Sequence, residues 1–414
     1  MPRSASDPTW TELLDPVVTG VGVASPTGLG LEEFWAATVA GSSGLGPVTR
    51  FDASGYPCGV AGEVPGFDAA AHVPSRLLPQ TDHMTRLALA VATEALDDAA
   101  VDPADLSTYA AGVVTAASGG GVDFGQRELQ NLHAHGADHV SAYQSFAWFY
   151  AVNTGQVSIR NRLRGPCAVL VTEQAGGLDS LGQARRTIRR GTPLVVGGGV
   201  DSGLSPWGWA AQLATGRTST GHDPAQAYLP FAPGAAGSVP GEGGALLVLE
   251  DPAAAAARGA RVHATLAGYA ATFDPAGGSR PDGLRRAVDL ALADAGLAPH
   301  DVDVVFADGA ALPAEDRSEA EVLVDVFGPR GVPVTVPKAG TGRLAAGGGA
   351  LDVATAVLAL EHGTVPPTPG VAAADPRHRL DLVTGRAREL PLRTALVLAR
   401  GTGGFHSAVV LRRA

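Results

Sequence analysis

The sequence predicts an α/β protein built from two duplicated halves. Residues 167–202 run from an apolar segment through a turn of small residues, Gln174 to Gly177, into a helix and a second apolar segment. Residues 95–106 and 291–302 are identical at six of twelve positions, and each copy follows an amphipathic helix and precedes an apolar strand. Because the period is too long for a solenoid, alternating helices and strands favour a duplicated αβ half.

Length and composition are those of a well-buried globular protein. The chain has 414 residues, of which 45% are hydrophobic, and this is enough for two or three domains. A net charge of −11 argues against general nucleic-acid binding. The chain has no apolar run of about 18 residues and no basic-then-apolar start. We therefore expect no membrane contact, no secretory signal and a cytoplasmic location.

The first half is expected over residues 16–255, after an irregular arm at residues 1–15. Apolar runs and helical spacing predict, in order, a strand at 17–24, a helix at 31–40, a loop-dominated stretch at 41–79, a helix at 82–100 and a strand at 111–115. The helix at 82–100 has Thr81 or Asp82 as its N-cap. Residues 167–172 form a β-branched run that is typical of a buried strand.

The second half is expected over residues 260–412. Its strand at 302–307 follows the second copy of the repeat, as the strand at 111–115 follows the first. The closing strands of the two halves are predicted at 244–250 and 408–412. The alanine-rich segment 252–259 is the natural junction between the halves.

Cysteines and basic residues give little direct indication of chemistry. Cys58 and Cys167 provide neither a disulfide framework nor metal-ligand spacing, so no metal site is expected. The four arginines between positions 185 and 190 either complement a helix end or offer a docking site to an acidic partner. The chain contains one lysine, Lys338, and 29 arginines. Either the position requires a compact ammonium group or the lysine is there by chance.

The turn after the apolar run 167–172, which we call the elbow, is the most informative stretch. A strand-turn-helix unit of this kind lifts one side chain off the strand end and directs helix amides at a bound group, which suits attack on a thioester or ester. The side chain in that place is Gln174, and an amide is no nucleophile. From the residues alone, Gln174 either occupies the place of a nucleophile or is simply a turn residue.

When the elbow, the duplication and the C-terminal segment are taken together, the chain resembles the ketosynthase branch of the thiolase-like condensing enzymes over nearly its full length. In that family the elbow carries a cysteine that takes up an acyl chain, and two histidines promote decarboxylation of a malonyl thioester. Here Gln174 stands in place of the cysteine. The His-Gly-Thr-x-Thr-Pro motif reads DGAALP from Asp308, and the Lys-x-x-Thr-Gly-His motif reads KAGTGR from Lys338 to Arg343. The resemblance implies a five-layer αβαβα fold.

This set of replacements resembles the chain-length factor, or ketosynthase β subunit, of bacterial aromatic (type II) polyketide synthases. The flanking segments TEQAGGLD (172–179), SFAWFYAVNTG (145–155) and VPGEGG (239–244) read as in that subunit. The C-terminal Gly-Phe-Gly-Gly-Thr-Asn signature reads GTGGFH from Gly401. Thr402 therefore stands in place of the phenylalanine that gates the acyl site in the family. Of the functional residues, only Lys338 is retained.

The resemblance also implies partners. A subunit without its own Cys-His-His triad is active only in a heterodimer with a catalytic ketosynthase α subunit of the same fold. An acyl carrier protein and the growing polyketide chain are the other expected partners. No cofactor is expected in this chain, because the phosphopantetheine arm of the carrier enters the partner subunit.

Three functions are compatible with these residues. The first is a non-condensing subunit that shapes the polyketide tunnel. The second is an initiation enzyme, a malonyl-carrier decarboxylase in which the Gln174 amide holds the malonyl carbonyl, and the loss of both histidines weighs against it. The third is a structural scaffold for the α subunit.

Two further contacts are expected in the replaced site. Asp308 and Arg343, which stand where the family has two histidines, are predicted to form an ion pair, because opposite charges introduced together suggest mutual compensation. By the same resemblance Lys338 should meet Asp352. The aromatic run 146–150 is expected either at the heterodimer interface or in the core.

The length of the product is expected to depend on one helix. In chain-length factors the tunnel is closed by side chains on the helix after the Gly119–Gly121 turn, and the matching positions are Val122, Gly125 and Leu129. Their spacing of three and four residues places them on one helical face. Since these side chains are small or absent where short-chain members carry bulky ones, the resemblance implies a decaketide or longer. The alternative is that Gly125 only allows close packing and that Trp207 closes the tunnel.

Overall fold

Two equivalent sets of strands form one long sheet in the computed structural model, which describes residues 15–274 and 282–414. The described strands are β1 (Val17–Ser25), β2 (Gly28–Leu29), β3 (Leu45–Pro47), β4 (Val60–Gly62), β5 (Ala111–Ala116), β6 (Cys167–Leu170), β7 (Leu194–Asp201), β8 (Gly243–Glu250), β9 (Ala264–Phe273), β10 (Val304–Phe306), β11 (Pro333–Thr335), β12 (Thr364–Val365), β13 (Asp381–Leu382), β14 (Arg388–Glu389), β15 (Thr394–Gly401) and β16 (Phe405–Arg413). Strands β3 and β4, and strands β12 and β14, form two small sheets separate from the long one. Apart from Asp15, the predicted arm at 1–15 lies outside the described residues.

The helices alternate with these strands, as the sequence pattern predicts. They are α1 (Leu31–Val39), α2 (Ala69–His72), α3 (His83–Asp98), α4 (Val122–His135), α5 (Gln144–Ala147), α6 (Val152–Asn161), α7 (Gly176–Arg189), α8 (Pro206–Ala214), α9 (Pro252–Ala257), α10 (Gly283–Asp294), α11 (Pro313–Phe327) and α12 (Ala346–His362). Within the described ranges, no helix is both long enough and apolar enough to cross a membrane.

The two halves have the same strand order. The first runs β6-β5-β7-β8-β1 and the second β11-β10-β15-β16-β9. In each half the first three strands of this order are parallel to one another, and each of the last two runs antiparallel to the strand before it. A short pairing of β1 with β9 joins the two sets. The duplication predicted from the repeat is thus present in the topology.

Helices α7 and α12 form the middle layer between the two sets of strands. Helix α12 contacts β7 and β8 of the first half and β15 and β16 of the second, while α3 and α10 cover the outer faces. The five-layer αβαβα arrangement is therefore confirmed. Every residue of α12 from Ala346 to Leu360 is buried, which is typical of a helix that is apolar on all sides. At Gly177 a Cβ atom would lie 2.3 Å from the Ala350 nitrogen, so only glycine permits this close approach.

Most of the predicted elements are present, with boundary shifts of a few residues. Asp82, and not Thr81, caps α3, because its carboxylate accepts a hydrogen bond from the Met84 N–H at 2.9 Å. The expected junction at 252–259 contains the short helix α9. One expectation is wrong: β6 is an edge strand with an exposed Cys167 and three half-buried residues, so it is not a buried strand. Nothing in an apolar run distinguishes an edge from the middle of a sheet.

Candidate functional site

The elbow has the predicted geometry. Strand β6 ends at Leu170, a single 3₁₀ turn covers Glu173–Ala175, and α7 begins at Gly176. Glu173 adopts a left-handed backbone conformation with φ of +51°, which is uncommon for a residue with a side chain. This conformation turns the chain sharply and directs Gln174 into the protein.

The Gln174 carboxamide is completely enclosed. Its side chain is 0% exposed, and neither amide atom has a hydrogen-bond partner among the described residues. A Cβ atom at Gly348 would lie only 2.2 Å from Nε2 of Gln174, so the glycine makes the space that the amide fills. Three glycines in a row, Gly347 to Gly349, mark this close approach in the sequence, but their role is visible only in the structure.

Asp308 and Arg343 form the predicted ion pair. Nη1 of Arg343 lies 3.0 Å from Oδ2 of Asp308, and Nη2 lies 3.2 Å from Oδ1, so the contact is bidentate. Nη2 also donates to the Arg400 carbonyl at 2.9 Å, and the Arg400 N–H donates to Oδ1 of Asp308 at 3.0 Å. Asp308 is fully buried and the Arg343 side chain is 10% exposed. The two residues neutralise each other where the family has two histidines.

The electrostatics of this site differ between its two buried carboxylates. Burial opposes ionisation of Asp308, but the charges of Arg343, Lys338 and Arg400 outweigh it and hold the pKa of that carboxyl well below its usual range. Nζ of Lys338 lies 2.5 Å from Oδ2 of Asp352, as expected. Burial nevertheless raises the pKa of Asp352 to about 6, against the opposing charge of Lys338. Asp308 is therefore the firmly ionised member of the site.

Two buried acids on α11 hold the loop that carries Asp308. The Glu319 carboxylate accepts hydrogen bonds from the Asp308 and Gly309 N–H groups at 2.8 and 3.0 Å. The Asp316 carboxylate accepts from the Ala311 N–H at 2.9 Å, and burial raises its pKa to about 7. Sequence reasoning missed both residues, although acids in the first turns of a helix after a motif are a usable signal. Both are occupied in holding the backbone.

An open cavity of about 320 Å³, which we call the elbow cavity, lies beside the ion pair. Its lining includes Val122, Glu173, Arg217, Arg343 and Thr402, but not Gln174. Thr402 is exposed, and its N–H donates to the Glu173 carboxylate at 2.9 Å. The residue in the place of the nucleophile is thus separated from the space that a substrate can reach.

The three predicted tunnel residues have different surroundings. Val122 is half-buried and lines the elbow cavity, Gly125 is buried, and Leu129 is 42% exposed. A Cβ atom on Gly125 would meet Cζ3 of Trp207 at 3.5 Å and Cβ of Trp148 at 3.6 Å. Two tryptophans therefore lie at ordinary contact distance over Gly125, and the role of this position in a tunnel stays a prediction. The Trp207 side chain is 46% exposed and has one free side.

Large apolar side chains next to these positions are exposed. We call this surface the aromatic face, and it consists of Leu129, Trp148, Phe149, Tyr150 and Trp207. The rings of Phe149 and Tyr150 pack against each other with their centroids 4.4 Å apart. Since Trp148 is 48% exposed and Phe149 and Tyr150 are 43% exposed, this part of the aromatic run is not core. Apolar patches of this kind mark interaction sites.

Two of the four arginines between 185 and 190 form ion pairs within the chain, and the other two, Arg186 and Arg190, are exposed. Nη2 of Arg185 lies 2.7 Å from Oδ1 of Asp15, and its Nη1 pairs with Asp294. Arg189 also pairs with Asp15, at 2.6 Å. Docking of an acidic partner on Arg185 is therefore not supported, because that side chain is buried. Within 15–274 and 282–414, no group of three or more His, Cys, Asp or Glu side chains is suited to a metal ion.

Two family descriptions together match most of the chain. The N-terminal domain of beta-ketoacyl synthases matches residues 15–255, and the C-terminal domain matches residues 263–372. The chain therefore belongs to the beta-ketoacyl synthase family. The matching regions contain the elbow and both replaced histidine positions.

Relatives and solved structures place the chain more narrowly. It is 61% identical to the actinorhodin polyketide beta-ketoacyl synthase 2 of Streptomyces coelicolor, over 96% of this chain and 98% of that protein. It is 56% identical to the tetracenomycin polyketide synthase ketoacyl synthase beta subunit of Streptomyces glaucescens, over the same shares. The solved ishigamide ketosynthase/chain length factor superposes with a TM-score of 0.88 at 31% identity, over 97% of this chain and 99% of that one.

A second solved structure adds a carrier protein. It is a type II polyketide synthase acyl carrier protein in complex with its ketosynthase bound to the hexaketide, with a TM-score of 0.87 and 27% identity, over 97% of this chain and 99% of that one. Together with the replaced triad, these likenesses identify the chain as a ketosynthase β subunit, or chain-length factor, of the type II polyketide synthase kind.

Proposed function

We propose that this chain acts as the non-condensing half of a heterodimer and shapes the tunnel that sets poly-β-ketone length. One observation carries this: the chain combines an enclosed Gln174 and a neutralised Asp308–Arg343 pair with an exposed aromatic face. A Claisen condensation needs a nucleophile and donors that stabilise an enolate. Gln174 cannot be the nucleophile, and Asp308 and Arg343 are used up in their mutual ion pair. The chemistry must therefore come from a catalytic α subunit.

The aromatic face is proposed as the surface that meets the α subunit. Its exposed rings are of the kind that is enriched at interfaces, and the outer edge of β6 has no neighbouring strand in the described structure. We expect an obligate interface of about 2,000 Å² or more in total. The acyl carrier protein is proposed to deliver its phosphopantetheine arm to the α subunit, so that no cofactor is needed here.

Product length is proposed to depend on the contact between α4 and α8. Trp207, at the start of α8, packs over Gly125 of α4. A chain of decaketide length or longer is the expected product, and it requires the exposed Trp207 ring to turn away from Gly125. Gly125→Phe and Leu129→Phe should shorten the product in the reconstituted heterodimer without reducing the yield of heterodimer. Unchanged product length in variants that assemble and turn over would remove these residues as the gate.

Initiation by decarboxylation is the second candidate, and the geometry weighs against it. The Gln174 amide is enclosed by Gly348 and does not line the elbow cavity. Malonyl-carrier decarboxylation should therefore be the same with the wild-type chain and with Gln174→Ala, measured as carbon dioxide release in the heterodimer. Mass spectrometry after incubation with acyl-carrier thioester should show no acyl adduct on this chain. A pure scaffold is distinguished by the length experiment, because it predicts no change in product size.

A further inference from the structure

We propose that Gln126 is a positioning residue that holds Trp207 over Gly125 and so fixes the space between α4 and α8. The proposal rests on the proposed function, because that function makes this contact the place where product length is set. Gln126 follows Gly125 directly in α4, and Trp207 is the second residue of α8. One hydrogen bond from Gln126 therefore acts on both sides of the contact between Gly125 and Trp207.

This hydrogen bond satisfies a free donor at the start of α8. The first N–H groups of a helix have no carbonyl partner within the helix, and Pro206, the first residue of α8, has no N–H. The Trp207 N–H therefore needs an acceptor from elsewhere, and it donates to Oε1 of Gln126 at 2.7 Å. Because a backbone N–H can only donate, the amide oxygen of Gln126 faces it, and not the amide nitrogen. Part of the cap of α8 is thus supplied by a residue of α4.

Helix α4 is itself held in place at its start. The buried Asp82 carboxylate, which caps α3, also accepts a hydrogen bond through Oδ2 from the Phe124 N–H at 2.8 Å. At Gly121 a Cβ atom would lie 2.6 Å from Cβ of Asp82, so the start of α4 packs directly against the start of α3. The start of α4 cannot move without breaking these buried contacts. Gln126, one turn further along, extends this fixed position to α8.

Helix α8 has a second anchor, and this anchor does not hold the Trp207 ring. Trp209 is 0% exposed and belongs to a buried apolar cluster, so it attaches α8 to the core. The Trp207 ring is 46% exposed, and its Cζ3 lies 3.5 Å from the place of a Cβ atom on Gly125. Loss of the hydrogen bond from Gln126 should therefore leave α8 attached through Trp209 and release its first turn. The Trp207 ring is then free to move away from Gly125, which widens the contact.

The alternative is that Gln126 only stabilises α8. Removal of a cap with that role alone lowers the stability of the chain, and it leaves the ratio of products unchanged in the heterodimers that stay folded. Removal of a positioning residue changes the ratio itself, because each position of Trp207 leaves a different space at Gly125. The product distribution, and not the yield, therefore separates the two roles.

The test compares Gln126→Met, Gln126→Glu and Gln130→Met in the heterodimer reconstituted with its α subunit, acyl carrier protein and malonyl thioester. Product lengths are read by mass spectrometry. Methionine keeps the length of the side chain and removes the acceptor, whereas glutamate keeps an acceptor at a helix N-terminus, where negative charge is favourable. Gln130→Met is the matched control, because it makes the same change one turn later on α4, at an exposed position that does not cap α8.

We expect Gln126→Met to lower the share of the main product by about twofold or more in favour of longer chains, since a typical hydrogen bond is worth roughly 2- to 10-fold in an equilibrium. Gln126→Glu should restore the wild-type distribution, and Gln130→Met should leave it unchanged. Gln126→Ala covers the case in which methionine prevents assembly. Adding Gln126→Met to Trp207→Ala should change the distribution no further, because the glutamine acts through the tryptophan.

A wild-type distribution in Gln126→Met and Gln126→Ala heterodimers that assemble and turn over would overturn the positioning role. An equal shift in Gln126→Glu or in Gln130→Met would overturn it as well, and so would a further shift on top of Trp207→Ala. Failure of the proposed function is distinct, because Gly125→Phe and Leu129→Phe then also leave the length unchanged and both proposals fall together. If those two variants shorten the product and the Gln126 variants do not change the distribution, only the positioning role is wrong.

Discussion

The elbow and the aromatic face belong to the same half of the molecule and have opposite properties. At the elbow, Gln174 is enclosed by α12, and in the second half the charges of Asp308 and Arg343 neutralise each other. On the aromatic face, large apolar rings such as that of Trp148 are exposed to solvent. The charges of the first region are paired within the chain, whereas the rings of the second region are not covered by any described residue. The difference supports the proposal that the replaced site is closed by internal contacts while the aromatic face serves a partner subunit.

The largest effect on stability that tests this comparison is expected at the Asp308–Arg343 ion pair. Arg343→Ala leaves Asp308 buried without its main cation and should lower the free energy of unfolding by about 3–5 kcal/mol. Urea unfolding of the heterodimer, followed by fluorescence, measures it. The double variant Asp308→Asn/Arg343→Gln is the control and should cost less than the sum of its single changes. Additive costs would show that the two charges do not stabilise each other.

The next effect is expected on the aromatic face and concerns binding rather than folding. Trp148→Ala should change the stability of this chain by no more than about 0.5 kcal/mol, because the ring is half exposed. It should weaken binding of the α subunit by about 2 kcal/mol, roughly 30-fold. Tyr109→Ala is the control, since Tyr109 is 74% exposed but lies at the opposite end of β5. Equal loss of affinity in both variants would contradict the assignment of the interface.

A smaller effect is expected where α12 meets the elbow. Gly348→Ala places a methyl group against the Gln174 amide and should destabilise the chain by about 1–3 kcal/mol through overpacking. Adding Gln174→Ala should restore most of this loss, because it empties the space. Thermal unfolding of the single and double variants provides the measurement. No rescue in the double variant would mean that the amide is not the group that requires a glycine.

The smallest effect, per pH unit, is expected from Asp352. Its folded pKa of about 6 lies above the ordinary 3.8, so the native state holds the proton more tightly than the unfolded state. The stability of the wild type relative to Asp352→Asn should therefore fall as the pH rises from about 4 to 6, by at most about 1.4 kcal/mol per unit. Denaturant titrations at several pH values measure this. A stability that stays level or rises only slightly over the same window would show that Lys338 keeps Asp352 ionised.

The sequence predicted the features that depend on local pattern or on motif spacing. Strand and helix order, the elbow and the Asp308–Arg343 pair follow from periodicity, turn residues and paired replacements in two motifs. It predicted contacts between segments distant in the chain only in part. The position of Trp207 over Gly125 was only an alternative, because it depends on how α8 crosses α4. That Gly348 faces Gln174 was not predicted, because it depends on the packing of α12 on α7. The exposure of β6 was not predicted either, because the position of a strand at the edge is a property of the whole sheet.

The Asp308–Arg343 pair also restricts how this chain can mutate back towards a condensing enzyme. A histidine restored at 308 alone leaves the Arg343 guanidinium without its carboxylate, and one restored at 343 alone leaves Asp308 buried and uncompensated. Each single step costs several kcal/mol, a large share of the roughly 5–15 kcal/mol that holds a protein folded. Both changes must come together, alongside a cysteine in place of Gln174. The ion pair therefore makes reversion of this site by single substitutions unfavourable.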